Sequence, residues 1–190
     1  MIVLVDLDNV LINTGEAWVG VLNERHGTNM EYSDITDWEI AKFFPELTCD
    51  EVFAPLSDGS VWSRVSPVPG ARDAIEKLIA DGDDVYVVTS SSLNTIGKKW
   101  KDVLQKFFPM IRHSHVIVSE RKQMIMGDVL IDDAPFNLEG GNYYGILVDA
   151  PHNINYDCDG ISIVRAQNWD CIYDLTCTLR QLLEGGENDG

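Results

Sequence analysis

Six short apolar runs punctuate the chain, at residues 2–5, 85–88, 116–118, 129–131, 146–148 and 161–164. Each is rich in β-branched residues and lacks the apolar–polar alternation of a strand with one wet face, so each reads as a strand covered on both sides. Between them lie stretches of helical character at residues 15–24, 71–80, 95–107 and 171–183. In the second of these Ala74, Leu78 and Ile79 share one side, with Asp73, Glu76 and Lys77 among the polar positions. Strand alternating with helix is the pattern of an α/β fold, here a doubly wound (Rossmann-like) parallel sheet. A chain of 190 residues has room for one such core and a small insertion.

One interval breaks the rhythm. Residues 13–66 hold no clear strand run, yet they carry seven aromatics: Trp18, Tyr32, Trp38, Phe43, Phe44, Phe53 and Trp62. A structureless loop of that length is unusual in a compact domain, so helices are expected there, as a small helical cap inserted after the first strand. The Pro67-Val68-Pro69-Gly70 stretch then returns the chain to the sheet and opens a helix. The expected division is a core of residues 1–12 and 67–184, a cap of 13–66 and a frayed tail at 185–190.

The charge narrows the choice of partner. Against 14 Lys and Arg stand 31 Asp and Glu, a formal net charge of −17. Such a field repels nucleic-acid backbones and anionic membranes, while a bound cation still permits a small anion in a local site. The opening apolar run is too short for a signal segment and has no basic flank, and no run approaches the length of a membrane span. Four cysteines without paired spacing read as reduced thiols, and a cytoplasmic location is expected. The sequence leaves a homodimer open.

In an open α/β sheet, ligands bind beyond the carboxyl ends of the strands. The first strand ends in Asp6-Leu7-Asp8-Asn9-Val10 and the fourth in Asp132-Asp133. Carboxylates so close together are costly without a cation or a proton between them. The second strand ends in Thr89-Ser90-Ser91-Ser92, hydroxyls and amides that suit phosphate oxygens, and Lys122 lies in the connection from third to fourth strand. Any one piece has a bland explanation; acidic pairs begin turns and a lone Lys is usually solvated. Together they supply a carboxylate nucleophile, oxygen ligands for a hard cation, hydroxyl donors and a fixed positive charge, the inventory of metal-assisted phosphoryl transfer.

These four pieces resemble the motifs of the haloacid dehalogenase superfamily of aspartate-nucleophile phosphatases. Within it the chain resembles the 5′(3′)-deoxyribonucleotidases, through Pro67-Val68-Pro69-Gly70, Val88-Thr89-Ser90, the spacing of Lys122 to Leu130-Ile131-Asp132-Asp133, His152-Asn153 and Asn168-Trp169. Two places depart from the family: Asn9, where relatives often carry Gly, and Ser91-Ser92, where relatives tend to be less polar. The resemblance implies Asp6 as nucleophile and Asp8 as general acid and base. It also implies Mg²⁺ held by Asp6, the Asp8 carbonyl and Asp132, with Asp133 orienting Lys122 or a metal-bound water. Thr89, Ser90 and Lys122 would meet the phosphate. The implied substrate is a deoxyribonucleoside monophosphate, whose base would stack on cap aromatics; Trp38, Phe43, Phe44 and Trp62 are the candidates.

Two rivals remain open at this level. One is a phosphatase for a sugar phosphate or modified nucleotide; the other is a receiver-like module that accepts phosphate on an aspartate, against which the Asp6/Asp8 spacing and the 13–66 insertion both speak. The basic run Lys98, Lys99, Lys101, Lys106 and Arg112 reads as a solvated helix face. The four histidines lack metal-pair spacing, and His152 is expected to brace its loop.

Overall fold

The apolar runs become one all-parallel sheet. The computed structural model describes residues 1–158 and 160–186, so the expected tail lies outside the described residues from position 187 onward. The strands are β1 (Ile2–Val5), β2 (Asp84–Thr89), β3 (Val116–Val118), β4 (Val129–Asp132), β5 (Tyr144–Val148) and β6 (Ile163–Ala166), in the order β3-β2-β1-β4-β5-β6. Every neighbouring pair is parallel. The chain winds outward from β1 through β2 to β3, then crosses back to β4 and winds the other way. The direction therefore reverses between β1 and β4, and the crevice above that pair is where such sheets bind ligands. A receiver-like sheet has the order 2-1-3-4-5, and this one does not.

Alternate residues of each strand point to opposite faces. Val3, Val5, Val87, Val129, Ile131 and Ile146 join the large core on one face, and Leu4, Val88, Leu130 and Leu147 the smaller core on the other. The large core is covered by α3 (Ala71–Ala80), by the helix that follows β2, and by α7 (Trp169–Gly186), through Ala74, Ile75, Leu78, Val103, Leu104, Trp169 and Ile172. The smaller core is closed by Leu138 of α6 (Pro135–Leu138) and by side chains such as Ile125, Tyr143 and Tyr156.

Three local expectations shift. Strand β6 starts at Ile163 rather than 161, because Gly160 turns the chain at positive φ and leaves Ile161 in solvent. In α3 the buried set is Ala71, Ala74, Ile75 and Leu78, while Ile79 sits at the solvent edge. The helix expected at 95–107 begins earlier, as α4 (Leu93–Lys98), and ends as α5 (Gln105–Phe107). Between these lies a π-helical turn, Lys99–Leu104, closed by Gln105 N–H donating to the Trp100 carbonyl.

The segment between β1 and α3 contains α1 (Thr14–His26), two 3-10 turns (Tyr32–Asp34 and Ile40–Phe43) and α2 (Cys49–Asp58). Its two ends run side by side. Asn13 N–H donates to Ser66 O, Ser66 N–H to the Asn13 side chain, and Val68 N–H to Leu11 O. Val19, Leu22, Ile35, Ile40, Phe44 and Val52 form a core of its own, whereas Ala17, Val21, Val61, Trp62 and Val65 join the sheet's large core.

Trp169 ties this frame to the strand ends. Its ring is buried and its indole N–H donates to the Val10 carbonyl at 2.9 Å, fixing the loop that leaves β1. Trp169→Ala is expected to cost about 3–5 kcal/mol, the usual price of emptying so large a buried site. A denaturant titration would read it; a loss below about 1 kcal/mol would show that α7 does not anchor that loop.

Candidate active site

Asp6 directly follows β1, where its N–H continues the ladder to the Ile131 carbonyl at 2.9 Å, and Asp132 closes β4. The reversal of strand order thus sets carboxylates from two adjacent strands side by side. Lys122, on a 3-10 turn (Lys122–Met124), reaches between them: its Nζ donates to Asp6 Oδ1 at 2.5 Å and Asp132 Oδ2 at 2.6 Å. This ammonium is only 2% exposed. Burial alone would discharge it, but the two carboxylates outweigh that and hold its pKa above the ordinary lysine range.

Asp132 is braced further by the Ala134 N–H at 2.9 Å and by Asn137 Nδ2 at 3.2 and 3.1 Å. Among the described residues, Asp6 Oδ2 receives no protein donor. Thr89, at the end of β2, is fully buried beside these groups, and the adjacent Ser90 N–H donates to no protein acceptor among the described residues.

Of the two roles expected for Asp133, orienting Lys122 is not seen: its Oδ2 accepts from Asn9 Nδ2 at 2.9 Å and faces His152 Nε2 at 3.3 Å. Its carbonyl accepts from Asn153 Nδ2 at 2.8 Å, and lies 3.2 Å from His152 Nε2. His152 therefore braces Asp133 itself. Asn9 has φ of 59°, a left-handed turn that glycine adopts freely and asparagine tolerates. The side chain that a glycine would lack bonds Asp133 and accepts from Gly15 N–H at 2.7 Å, tying α1 to the end of β4.

Asp8 is turned away from the other acids. Its Oδ1 accepts from Thr14 Oγ1 at 2.7 Å and its Oδ2 from Lys99 Nζ at 2.5 Å. Lys99 is thus no member of a solvated face: it is 3% exposed, and Nζ also donates to the Ser90 carbonyl at 3.0 Å and Thr89 Oγ1 at 3.2 Å. The Trp62 ring lies over the ammonium, 4.8 Å from its centroid. Net charge and composition point a lysine in such a run outward. Its place in the helix turns it inward: Lys99 lies one α-helical turn after the buried Thr95, on the same face.

Asp6, Asp8, Ser90, Lys122 and Asp132 line one cavity of about 640 Å³. Its aromatic wall is Trp18, Trp38, Phe53, Trp62 and Phe136. Trp38, about half exposed, sets its ring against Phe136 and His152, at 4.8 and 5.1 Å between centroids. Phe43 and Phe44 are not in this wall. Phe44 is buried in the inserted segment's own core and Phe43 packs against the same cluster, so the expectation that they face a ligand is corrected. Trp18 and Phe53 take that place, 5.1 Å apart. The helical spacing of Phe53, Leu56 and Ser57, all on the cavity side of α2, was a legible signal for it.

Comparison with known proteins agrees with this geometry. The family described as 5′ nucleotidase, deoxy (Pyrimidine), cytosolic type C protein matches residues 1–182. The chain belongs to that family. Among its relatives are the 5′(3′)-deoxyribonucleotidase of Bacillus subtilis, 31% identical over 170 residues (89% of this chain and 94% of the relative). That of Clostridium acetobutylicum is 28% identical over 165 residues (87% and 88%). A solved haloacid dehalogenase family hydrolase from Deinococcus radiodurans, with bound phosphate and sodium, shares the fold with a TM-score of 0.62 at 17% identity, covering 94% of this chain and 95% of that one. As a member of this nucleotidase family, the protein is a phosphoric monoester hydrolase. Among the described residues no helix is long and apolar enough to cross a membrane.

The donor set of this nucleotidase fits a hard divalent cation. Ligand oxygens of Asp6, Asp132 and Asp133 lie within 4.8 Å of one another, all buried, and the Lys122 ammonium bonds only two of the three carboxylates. Burial, followed by the neighbouring carboxylates, raises the pKa of Asp6 despite Lys122; burial likewise raises Asp132. The Asp8 carboxylate stands outside this set, facing Thr14 and Lys99.

The sign of the pH dependence follows. Groups that hold protons more tightly folded than unfolded make ionisation destabilising, so the metal-free protein is expected to lose stability as pH rises above the ordinary Asp value of about 4. Mg²⁺ at a hundred times its Kd is expected to add about 2.7 kcal/mol, read as a higher thermal midpoint after chelation and re-addition. Asp132→Asn should flatten the slope and abolish the magnesium shift. An undiminished shift in that variant would place the cation elsewhere.

Proposed function

We propose that the enzyme hydrolyses deoxyribonucleoside monophosphates to the deoxyribonucleoside and phosphate, with residues 13–66 acting as a helical cap over the strand ends. The observation that carries this reading is one cavity with two kinds of wall. Asp6, Asp8, Lys122 and Asp132 form a charged floor that suits a phosphate, and Trp18, Trp38, Phe53 and Trp62 form aromatic sides on which a base can stack. The family's curated relatives, named 5′(3′)-deoxyribonucleotidases, support the same substrate class.

Asp6 attacks the phosphorus through Oδ2, the oxygen left free by Lys122, while the bond from phosphorus to the nucleoside oxygen breaks. Asp8 gives its proton to that oxygen. In the second step Asp8 takes a proton from water as the water attacks the phosphorus of the aspartyl-phosphate, releasing phosphate and restoring Asp6. The remaining N–H of Lys122, the Thr89 hydroxyl and the Ser90 amide donate to the non-bridging oxygens as charge develops there. Asp6, Asp132 and the Asp8 carbonyl, with Asp133 beside them, would hold Mg²⁺, which would supply positive charge to the phosphate and balance the crowded carboxylates.

Asp6→Asn is expected to abolish turnover, with circular dichroism and the thermal midpoint showing an intact fold. In a panel of monophosphates, dTMP and dUMP should exceed sugar phosphates in kcat/KM by at least about tenfold, and Trp38→Ala should raise KM for the nucleotides alone. A preference for sugar phosphates would defeat the nucleotide reading and leave the phosphatase standing.

A further inference from the structure

The geometry points to Lys99 as a positioning residue for Asp8, one that holds the proton-transferring carboxylate in place and does not bind the phosphate. The inference rests on the acid–base reading of Asp8 given above. An ammonium has three N–H donors. Lys122 spends two, on Asp6 and Asp132, and keeps one for a ligand. Lys99 spends all three within the protein, on Asp8 Oδ2, Thr89 Oγ1 and the Ser90 carbonyl. It therefore has no proton to offer a phosphate oxygen, although it lines the same cavity.

What Lys99 fixes is direction. Both oxygens of Asp8 are held, Oδ1 by Thr14 at the start of α1 and Oδ2 by Lys99 at the start of the π turn. The carboxylate is thus clamped between the inserted segment and the helix after β2, and its rotation is blocked from both sides. Trp62 covers the ammonium and keeps water from competing for its bonds. π turns recur where a helix must bring a side chain to a functional site, and this one begins at the residue that does so. Without Lys99 only the Thr14 bond to Oδ1 remains of the clamp, so the carboxylate can swing about it, and a displacement of about 1 Å at a reacting group costs about a hundredfold in rate.

The test compares leaving groups. A deoxyribose oxygen leaves poorly without a proton, whereas p-nitrophenolate leaves as a stable anion and needs little help. Single-turnover release of the leaving group reports the first step alone. In the magnesium-loaded full-length enzyme, Lys99→Met is expected to slow nucleoside release from dTMP about a hundredfold, p-nitrophenol release from p-nitrophenyl phosphate less than about fivefold, with KM for dTMP nearly unchanged.

Lys99→Gln, which keeps an N–H for the Ser90 carbonyl, is read in the same way should Lys99→Met not fold. Equal losses on the two substrates would reduce Lys99 to a structural role, and a raised KM with unchanged release would make it a phosphate ligand; either overturns the inference. Asp8→Asn is run beside them. A split there but none in the Lys99 variants defeats the Lys99 inference alone, whereas no split in Asp8→Asn defeats the acid–base reading and the inference with it.

Discussion

One buried ammonium makes the rest of this site possible. Parallel strands that reverse their winding direction necessarily leave a crevice above the reversal, and here both strands beside it end in carboxylates. Left alone, Asp6 and Asp132 would repel each other or take up protons. Lys122 bridges them at 2.5 and 2.6 Å, leaving one oxygen of Asp6 and one N–H of its own unspent. A free nucleophilic oxygen beside a free donor is what a phosphoryl group needs. The surplus of negative charge that remains is the reason a divalent cation belongs with them.

A second lysine separates the two acids of the first strand. Asp6 and Asp8 stand two residues apart, yet their carboxylates face different partners: Lys122 and the β4 acids for one, Lys99 and Thr14 for the other. In the proposed mechanism that division lets one aspartate act as nucleophile while the other handles protons. Asn9, directly after Asp8, turns the backbone through the left-handed region and ties both the inserted helix α1 and Asp133 to the same loop. The acids after β1 and the anchor of the inserted segment thus fall within residues 6–9.

Much of this was legible in the chain. Strands buried on both faces announce themselves as β-branched runs, and the acids, Thr89 and Lys122 stand at run ends or in the connection the fold requires. Orientation was not legible. Lys99 lies among four lysines on one helix, and a pattern of charges does not say which of them shares the buried face of Thr95. Phe44 and Phe53 are alike in sequence; whether a ring fills the inserted segment's own core or the cavity depends on how α1 and α2 pack, which no local spacing of the Phe43-Phe44 pair encodes. The partners of Asp133 were not legible for a similar reason. Its position predicts proximity to the site, but its partners, Asn9 and His152, come from loops whose course is set by tertiary contacts.

The most direct measurement is a rapid acid quench of the magnesium-loaded enzyme during turnover of a phosphate-labelled deoxynucleoside monophosphate, followed by peptide mapping. The account predicts covalent phosphate on the Asp6 carboxylate, formed and lost at rates compatible with turnover. Turnover without any protein-bound phosphate, or label on a residue other than Asp6, would contradict it.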